Sequence, residues 1–194
     1  MKLRVSTDNR GGSISAKAGK ADPRDDNYNI DPSRRYSKLT RTLSETAGNG
    51  GGQIGVTLET SSEFVGFQKD SYECDSLTFK SVGTIRLPQD SATTAVGVVQ
   101  DSISMGFRVE KACKVHLTAT VLSDMDVAEV RVDGPSFAAK PVRVFDDFDD
   151  TLVIDKPGEY YLKGAYQLNV RTPNASLGGR PIAVEMQATL TPAD

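Results

Sequence analysis

Four carboxylates crowd one short stretch, Asp146, Asp147, Asp149 and Asp150, and Asp124 and Asp126 mark another turn. Hard cations take about six to eight oxygen ligands, and acidic loops of β proteins can supply them. Carboxylates this close repel one another unless positive charge stands nearby. Calcium would relieve the repulsion, and so would the basic side chains Arg34, Arg35, Lys38 and Arg41. The run does not have the alternating Asp spacing closed by Gly of a loop-type calcium site. Three readings therefore stand at this point: a solvated acidic turn, a calcium site, and a surface for a basic partner. Two glycosidase carboxylates could be drawn from the same set, but a chain with no Trp has poor stacking platforms for a sugar.

Other reactive residues are few. The one histidine, His116, falls on the polar side of an alternating segment, among Lys114, Thr118 and Thr120. A general base needs a partner within hydrogen-bond reach, and no motif supplies one. No G-x-S-x-G, H-E-x-x-H or C-x-x-C occurs, and neither Gly19-Lys20 nor Gly48 to Gly52 completes a phosphate loop. No catalytic residue is assigned. Cys74 and Cys113 allow one disulfide or two free thiols, and their spacing does not decide between them. Asn174-Ala175-Ser176 fits the N-glycosylation pattern.

The elements that must position these residues are strands. Asp150 to Arg171 is the clearest stretch. A short strand through Leu152 and Ile154 meets the turn Lys156-Pro157-Gly158, and a long strand follows. There Tyr160, Leu162, Gly164, Tyr166, Leu168 and Val170 share one face and the intervening residues the other. Period two over this length predicts a strand buried on one side. The same alternation recurs at 54–58, 103–109, 115–121, 128–132 and 182–190, with shorter apolar pieces at 64–67, 77–87, 94–99 and 142–144. At least seven such segments with no convincing helix between them predict an all-β, antiparallel β-sandwich, jelly-roll-like.

The first fifty residues lack a sustained pattern. Lys2 to Thr7 and Ser13 to Ala18 could each be a short strand, broken by Gly11-Gly12, Asp22-Pro23 and Asp31-Pro32. Tyr36 to Ser44 fits helix and strand equally, and Ala47 to Gly52 reads as a hinge. The expected organisation is an extended N-terminal arm, residues 1–52, followed by a sandwich domain, residues 53–194. Charge supports the division. Residues 1–50 hold 10 Lys and Arg against 6 Asp and Glu, whereas the remainder holds 13 against 20. Arm and body, or neighbouring copies, could pair electrostatically. Acidic residues interrupt the basic segment and few aromatics interleave it, which argues against nucleic acid as a partner. No apolar run reaches the length of a membrane-spanning helix. MKLRVSTDNR has no apolar core of signal type, so the chain is expected to be either intracellular or a secreted protein without its leader.

One order of motifs is distinctive. Phe107-x-Val109 and Val115-x-Leu117 precede Val130-x-Val132-Asp133-Gly134-Pro135, then Leu152-x-Ile154, then Pro157-Gly158-Glu159-Tyr160-Tyr161-Leu162. Over roughly residues 103–192 this resembles the small extracellular β-sandwiches of bacteria typified by pre-peptidase C-terminal domains. It is also similar to the jelly-roll modules of proteins with a PEP-CTERM sorting tail. The resemblance implies an extracellular or cell-surface setting and a non-catalytic role in adhesion, matrix attachment or accessory binding. The chain's first hundred residues have no counterpart in those modules.

Two functions follow as expectations. The first is a structural or assembly protein, a homo-oligomer or a scaffold binder, that associates through its arm and strand edges. The second is a secreted module for carbohydrate or another cell-surface component, with calcium as a candidate cofactor.

Overall fold

The computed structural model describes residues 2–20, 22–29, 38–49, 52–88, 94–125, 128–172 and 181–193. Within them the chain forms two antiparallel sheets packed face to face. Thirteen strands follow in chain order: β1 (Leu3–Ala18), β2 (Arg24–Asn29), β3 (Lys38–Asn49), β4 (Gly52–Val65), β5 (Glu73–Cys74), β6 (Ser76–Arg86), β7 (Ala95–Val109), β8 (Cys113–Ser123), β9 (Ala128–Asp133), β10 (Val142–Val144), β11 (Phe148–Ile154), β12 (Gly158–Arg171) and β13 (Ile182–Ala193). Sheet A runs β10-β9-β12-β7-β1-β2, with β5 added beside β1, and sheet B runs β11-β8-β13-β6-β4-β3. No helix of the described residues is long and apolar enough to cross a membrane.

Strands β6 to β13 carry the double Greek key of a jelly roll. Four lie as β6-β13-β8-β11 in one sheet and four as β7-β12-β9-β10 in the other. Strands β1 to β4 widen that sandwich on one flank, β1 and β2 beyond β7 and β4 and β3 beyond β6. The sequence expectation of an arm at 1–52 is therefore corrected. β1 pairs with β7 from Arg4–Arg108 to Ala18–Ala95, and its Leu3, Val5, Ile14 and Ala16 belong to the same buried cluster as the jelly-roll residues. Widened and original halves share one core.

A β-bulge explains why β1 does not read as a strand. Its pairing with β7 shifts between Val5 and Thr7. Leu3 and Val5 point inward before the shift, and Asp8, Arg10, Ile14, Ala16 and Ala18 point inward after it. A bulge inserts one extra residue and so moves every later side chain to the other face. The alternation restarts out of phase, with a charged pair inside.

The P-G-E-Y-Y-L segment enters β12 as a packed corner. The Tyr160 hydroxyl donates to Lys156 O at 2.6 Å, accepts from Ser136 N at 3.1 Å and lies 2.6 Å from Ser136 Oγ. Ser136 Oγ in turn accepts from the amides of Asp155 and Lys156. The Tyr160 ring stacks on Phe107 and meets the edge of Phe137. Gly158 has φ 148°, where a side chain would be strained and would meet Pro135 at 2.7 Å. The D-G-P turn and the P-G-E-Y entrance are thus two halves of one hydrogen-bonded joint. Tyr160→Phe removes the hydroxyl that ties Ser136 to Lys156 O, a partly buried bridge, and should destabilise the fold by about 0.5–1.5 kcal/mol. Chemical denaturation measures it, and an unchanged midpoint would contradict the role of the hydroxyl.

Candidate functional site

The outer face of sheet A is hollowed by a trough of about 780 Å³ that crosses the strands. Register places its residues in rows. One row reads Asn29, Gly11, Ser102, Ala165, Glu129 across β2, β1, β7, β12 and β9. Its three middle members have little or no side chain, so the row forms a floor. The next row, Asn27, Ser13, Gln100 and Gln167, rises as a wall of amide and hydroxyl groups. Asn9 stands on the opposite side. Neighbouring strands lie roughly 4.8 Å apart, so the floor spans roughly 19 Å. Half of the trough comes from the jelly roll and half from β1 and β2.

Behind the trough, the inward-facing residues of the same strands form one more row: Tyr28, Gly12, Asp101, Tyr166. Each is flanked in sequence by two trough residues, because side chains alternate along a strand. Asp101 is buried and accepts from the Tyr28 hydroxyl at 2.6 Å, from Ser81 Oγ at 2.5 Å and from the Ser102 amide at 3.0 Å. Thr60 also bonds to both Asp101 and Tyr28. Since the Ser81 proton goes to Asp101, the Tyr166 hydroxyl, 3.0 Å away, donates to Ser81 Oγ. Thr60 and Ser81 are cross-strand partners on β4 and β6, so the network bridges the two sheets. Gly12 makes room for it. A Cβ there would lie 2.7 Å from the Tyr28 ring and 2.9 Å from Asp101 Oδ1.

A second buried polar unit lies beside this network. Asp8 and Arg10, both fully buried, form an ion pair; Arg10 Nη1 also donates to Ser62 O at 3.2 Å, and its guanidinium lies over the Phe64 ring. Burial lowers the Arg10 pKa against the opposing pull of Asp8. Burial likewise raises the pKa values of Tyr28 and Tyr166, with the Asp101 charge adding to both. For Asp101 itself burial raises the pKa and outweighs the lowering by its hydrogen-bond donors.

The residues singled out from sequence lie elsewhere. Asp149 and Asp150 are successive residues of β11 and so point to opposite faces, while Asp146 and Asp147 precede the strand, exposed. Among the described residues no three His, Cys, Asp or Glu side chains are arranged to hold a metal ion, and Asp146, Asp147, Asp149 and Asp150 do not form such a group. Asp149 instead accepts from His116 Nε2 at 2.7 Å, and Thr151 Oγ1 lies 3.4 Å from His116 Nδ1. That Thr–His–Asp order lies open on the outer face of sheet B, where water competes for every bond.

Lys38 and Arg41 lie on β3, and Arg34 and Arg35 fall outside the described residues, as do Asp126 and Asn174-Ala175-Ser176. β3 and β11 are the opposite edges of sheet B, roughly 24 Å apart at the usual strand spacing, so Lys38 and Arg41 do not neutralise the acidic stretch within one chain. Cys74 and Cys113 are both free thiols, Cys74 on β5 of sheet A and Cys113 at the start of β8 in sheet B. Burial pushes the Cys74 thiol up to about 12 and raises that of Cys113, so both are protonated and unreactive at neutral pH.

No protein-family model matches the chain, and no curated protein does. Among solved structures it is similar to the crystal structure of a GH31 alpha-xylosidase from Xanthomonas citri, at 12% identity and a TM-score of 0.25. The likeness covers 79% of this chain and 23% of that one. A TM-score of that size carries no argument about fold or activity.

Two outcomes test the network behind the trough. Gly12→Ala must displace the Tyr28 ring or Asp101, and should cost about 1–3 kcal/mol in denaturation experiments; a neutral effect would mean the row is slack. The second concerns pH. An unfolded Asp ionises near about 4, and the folded Asp101 holds its proton to higher pH. Its contribution to stability is therefore greatest below pH ~4 and is lost as pH rises through the raised value. Asp101→Asn does not titrate, so the melting temperature of the wild type relative to this variant should fall as pH rises above about 4. A difference that stays constant with pH would refute the assignment.

Proposed function

We propose that the protein is a non-catalytic binding module whose trough on sheet A takes a polyhydroxylated ligand, a carbohydrate of the cell surface or extracellular matrix. The observation that carries this reading is the lining. Asn9, Asn27, Asn29, Gln100 and Gln167 offer amides, Ser13 and Ser102 hydroxyls, around a floor of small residues. An amide presents a donor and an acceptor side by side, which suits neighbouring hydroxyls that each both donate and accept. A concave surface with a few convergent polar groups, backed by titratable groups of perturbed pKa, is the usual form of a ligand site.

The character of the ligand follows from the same lining. Tyr28 and Tyr166 turn inward and commit their hydroxyls to the buried network, so recognition depends on hydrogen bonds and not on ring stacking. Glu129, at one end of the floor, is the trough's one outward-facing carboxylate and favours a neutral or cationic group there. The polar contacts are held in place before binding, because the strands that carry them are fixed from behind. This lowers the ordering cost of binding. The extracellular or cell-surface setting implied by the sequence resemblance belongs to this reading. Calcium does not enter it.

A glycan array followed by calorimetry on the hits tests the proposal. Asn27→Ala and Gln167→Ala alter exposed positions and should leave the melting temperature unchanged. Each should weaken the best-bound glycan by roughly three- to tenfold, the worth of one hydrogen bond. An array without hits, or affinities insensitive to both substitutions, would overturn it.

A further inference from the structure

The four lateral edges of the sandwich are unequal. In sheet A, β10 is three residues long and β2 is six, with Arg24, Asp25 and Asp26 in succession. In sheet B, β11 carries Asp149 and Asp150 and follows Asp146 and Asp147. Short length and clustered charge are the ordinary protections of an edge against pairing with another chain. The fourth edge, β3, has neither; its only guard within one chain is two charges, Arg41 and Glu45, on the inward face beside buried Leu43 and Ala47. It runs for 12 residues, KLTRTLSETAGN, without proline, and its pairing with β4 is continuous from Lys38–Glu63 to Asn49–Gly52. Among the described residues β4 is its only sheet neighbour.

We propose that β3 pairs with β3 of a second copy of this chain, antiparallel and centred on Leu43, so that the two six-stranded sheets become one. The register is argued from side chains. Residues directly opposite in an antiparallel pair lie on the same face. Centring on Leu43 sets Arg41 opposite the partner's Glu45, and by symmetry Glu45 opposite the partner's Arg41. It also sets Thr42 opposite the partner's Ser44 and Thr40 opposite the partner's Thr46, pairs that favour one another across strands. Leu39 then meets the partner's Ala47 and Leu43 meets its own copy, on the same inward face as the two Arg41–Glu45 pairs, which flank Leu43. The neighbouring symmetric registers do worse. Centring on Thr42 sets Leu39 against the partner's Glu45, and centring on Ser44 sets Leu43 against it.

Within one chain Arg41 and Glu45 lie roughly 13 Å apart along the strand, too far to pair. Both are satisfied by the two-fold arrangement, which makes the interface isologous and closed. The inference stands apart from the trough reading: β3 lies in sheet B, and pairing there leaves the outer face of sheet A open in both copies.

Light scattering and sedimentation of the full chain across micromolar concentrations test this arrangement. The wild type should form a dimer. Arg41→Glu and Glu45→Arg each place two like-charged contacts in the interface and should each weaken it by roughly tenfold. The double variant R41E/E45R restores both contacts with signs exchanged and should recover the wild-type dimer. Circular dichroism melts confirm that each variant folds. A wild type that stays monomeric, single variants that dimerise undiminished, or folded singles not rescued in the double variant would overturn it.

Discussion

The structure depends on a buried carboxylate that is fully hydrogen-bonded. A carboxyl group in a protein interior is costly unless its oxygens are satisfied, and removing one partner leaves a buried polar atom uncompensated. Asp101 meets this demand with Tyr28, Ser81, Thr60 and the Ser102 amide, donors drawn from β2, β6, β4 and its own strand β7. No one of those strands can slip by a residue without breaking the set, since a slip would turn every side chain to the opposite face. An apolar row at this level would tolerate several packings. The polar row tolerates one, and it fixes the phase of both sheets where the added flank meets the jelly roll.

That seam is also where the trough lies, and the two facts have a common cause. Side chains alternate, so a row of inward polar residues that locks four strands leaves the adjacent rows facing out at fixed positions. Asn27 and Asn29 flank Tyr28, Gly11 and Ser13 flank Gly12, Gln100 and Ser102 flank Asp101, and Ala165 and Gln167 flank Tyr166. The interior network acts as the supporting layer of the outer surface. The Asp8–Arg10 pair extends the constraint along β1, on the far side of the bulge that turned those residues inward.

Much of this architecture is legible from the residues alone, and the losses have physical causes. β12 reads correctly because its inward residues are apolar or aromatic and its outward ones polar, the condition under which period two is visible. Pro157-Gly158 and Tyr160 mark a corner for the same reason, since only Gly tolerates that φ and the Tyr needs partners for its hydroxyl. β1 fails on both counts: a bulge resets its phase, and Asp8, Arg10 and Gly12 occupy the inward positions where apolar residues would signal a strand. The trough is invisible in sequence because outward Asn, Gln and Ser on strands look like any solvated face until register sets five strands side by side. The acidic run misleads in the opposite sense. Asp149 and Asp150 are adjacent in sequence, but in a strand adjacency means opposite faces, so closeness along the chain separates the carboxylates in space.

A trough that works through amides and hydroxyls has an inherent weakness as a binding site. Every bond it makes to a ligand replaces one made to water, so each contributes only about 0.5–1.5 kcal/mol, and no aromatic face adds desolvated area. Rigidity limits the loss, because side chains on strands locked from behind need little ordering. It does not supply new attraction. A larger gain comes from presenting two such sites together, since the second contact to a repetitive polymer is then intramolecular, and avidity can exceed the single-site affinity by roughly a hundredfold or more. Pairing along β3 would provide this without touching the trough, because the edge of sheet B and the face of sheet A are separate surfaces. On that argument the long edge, with charges that pair only across a two-fold, and the weak polar trough answer one another.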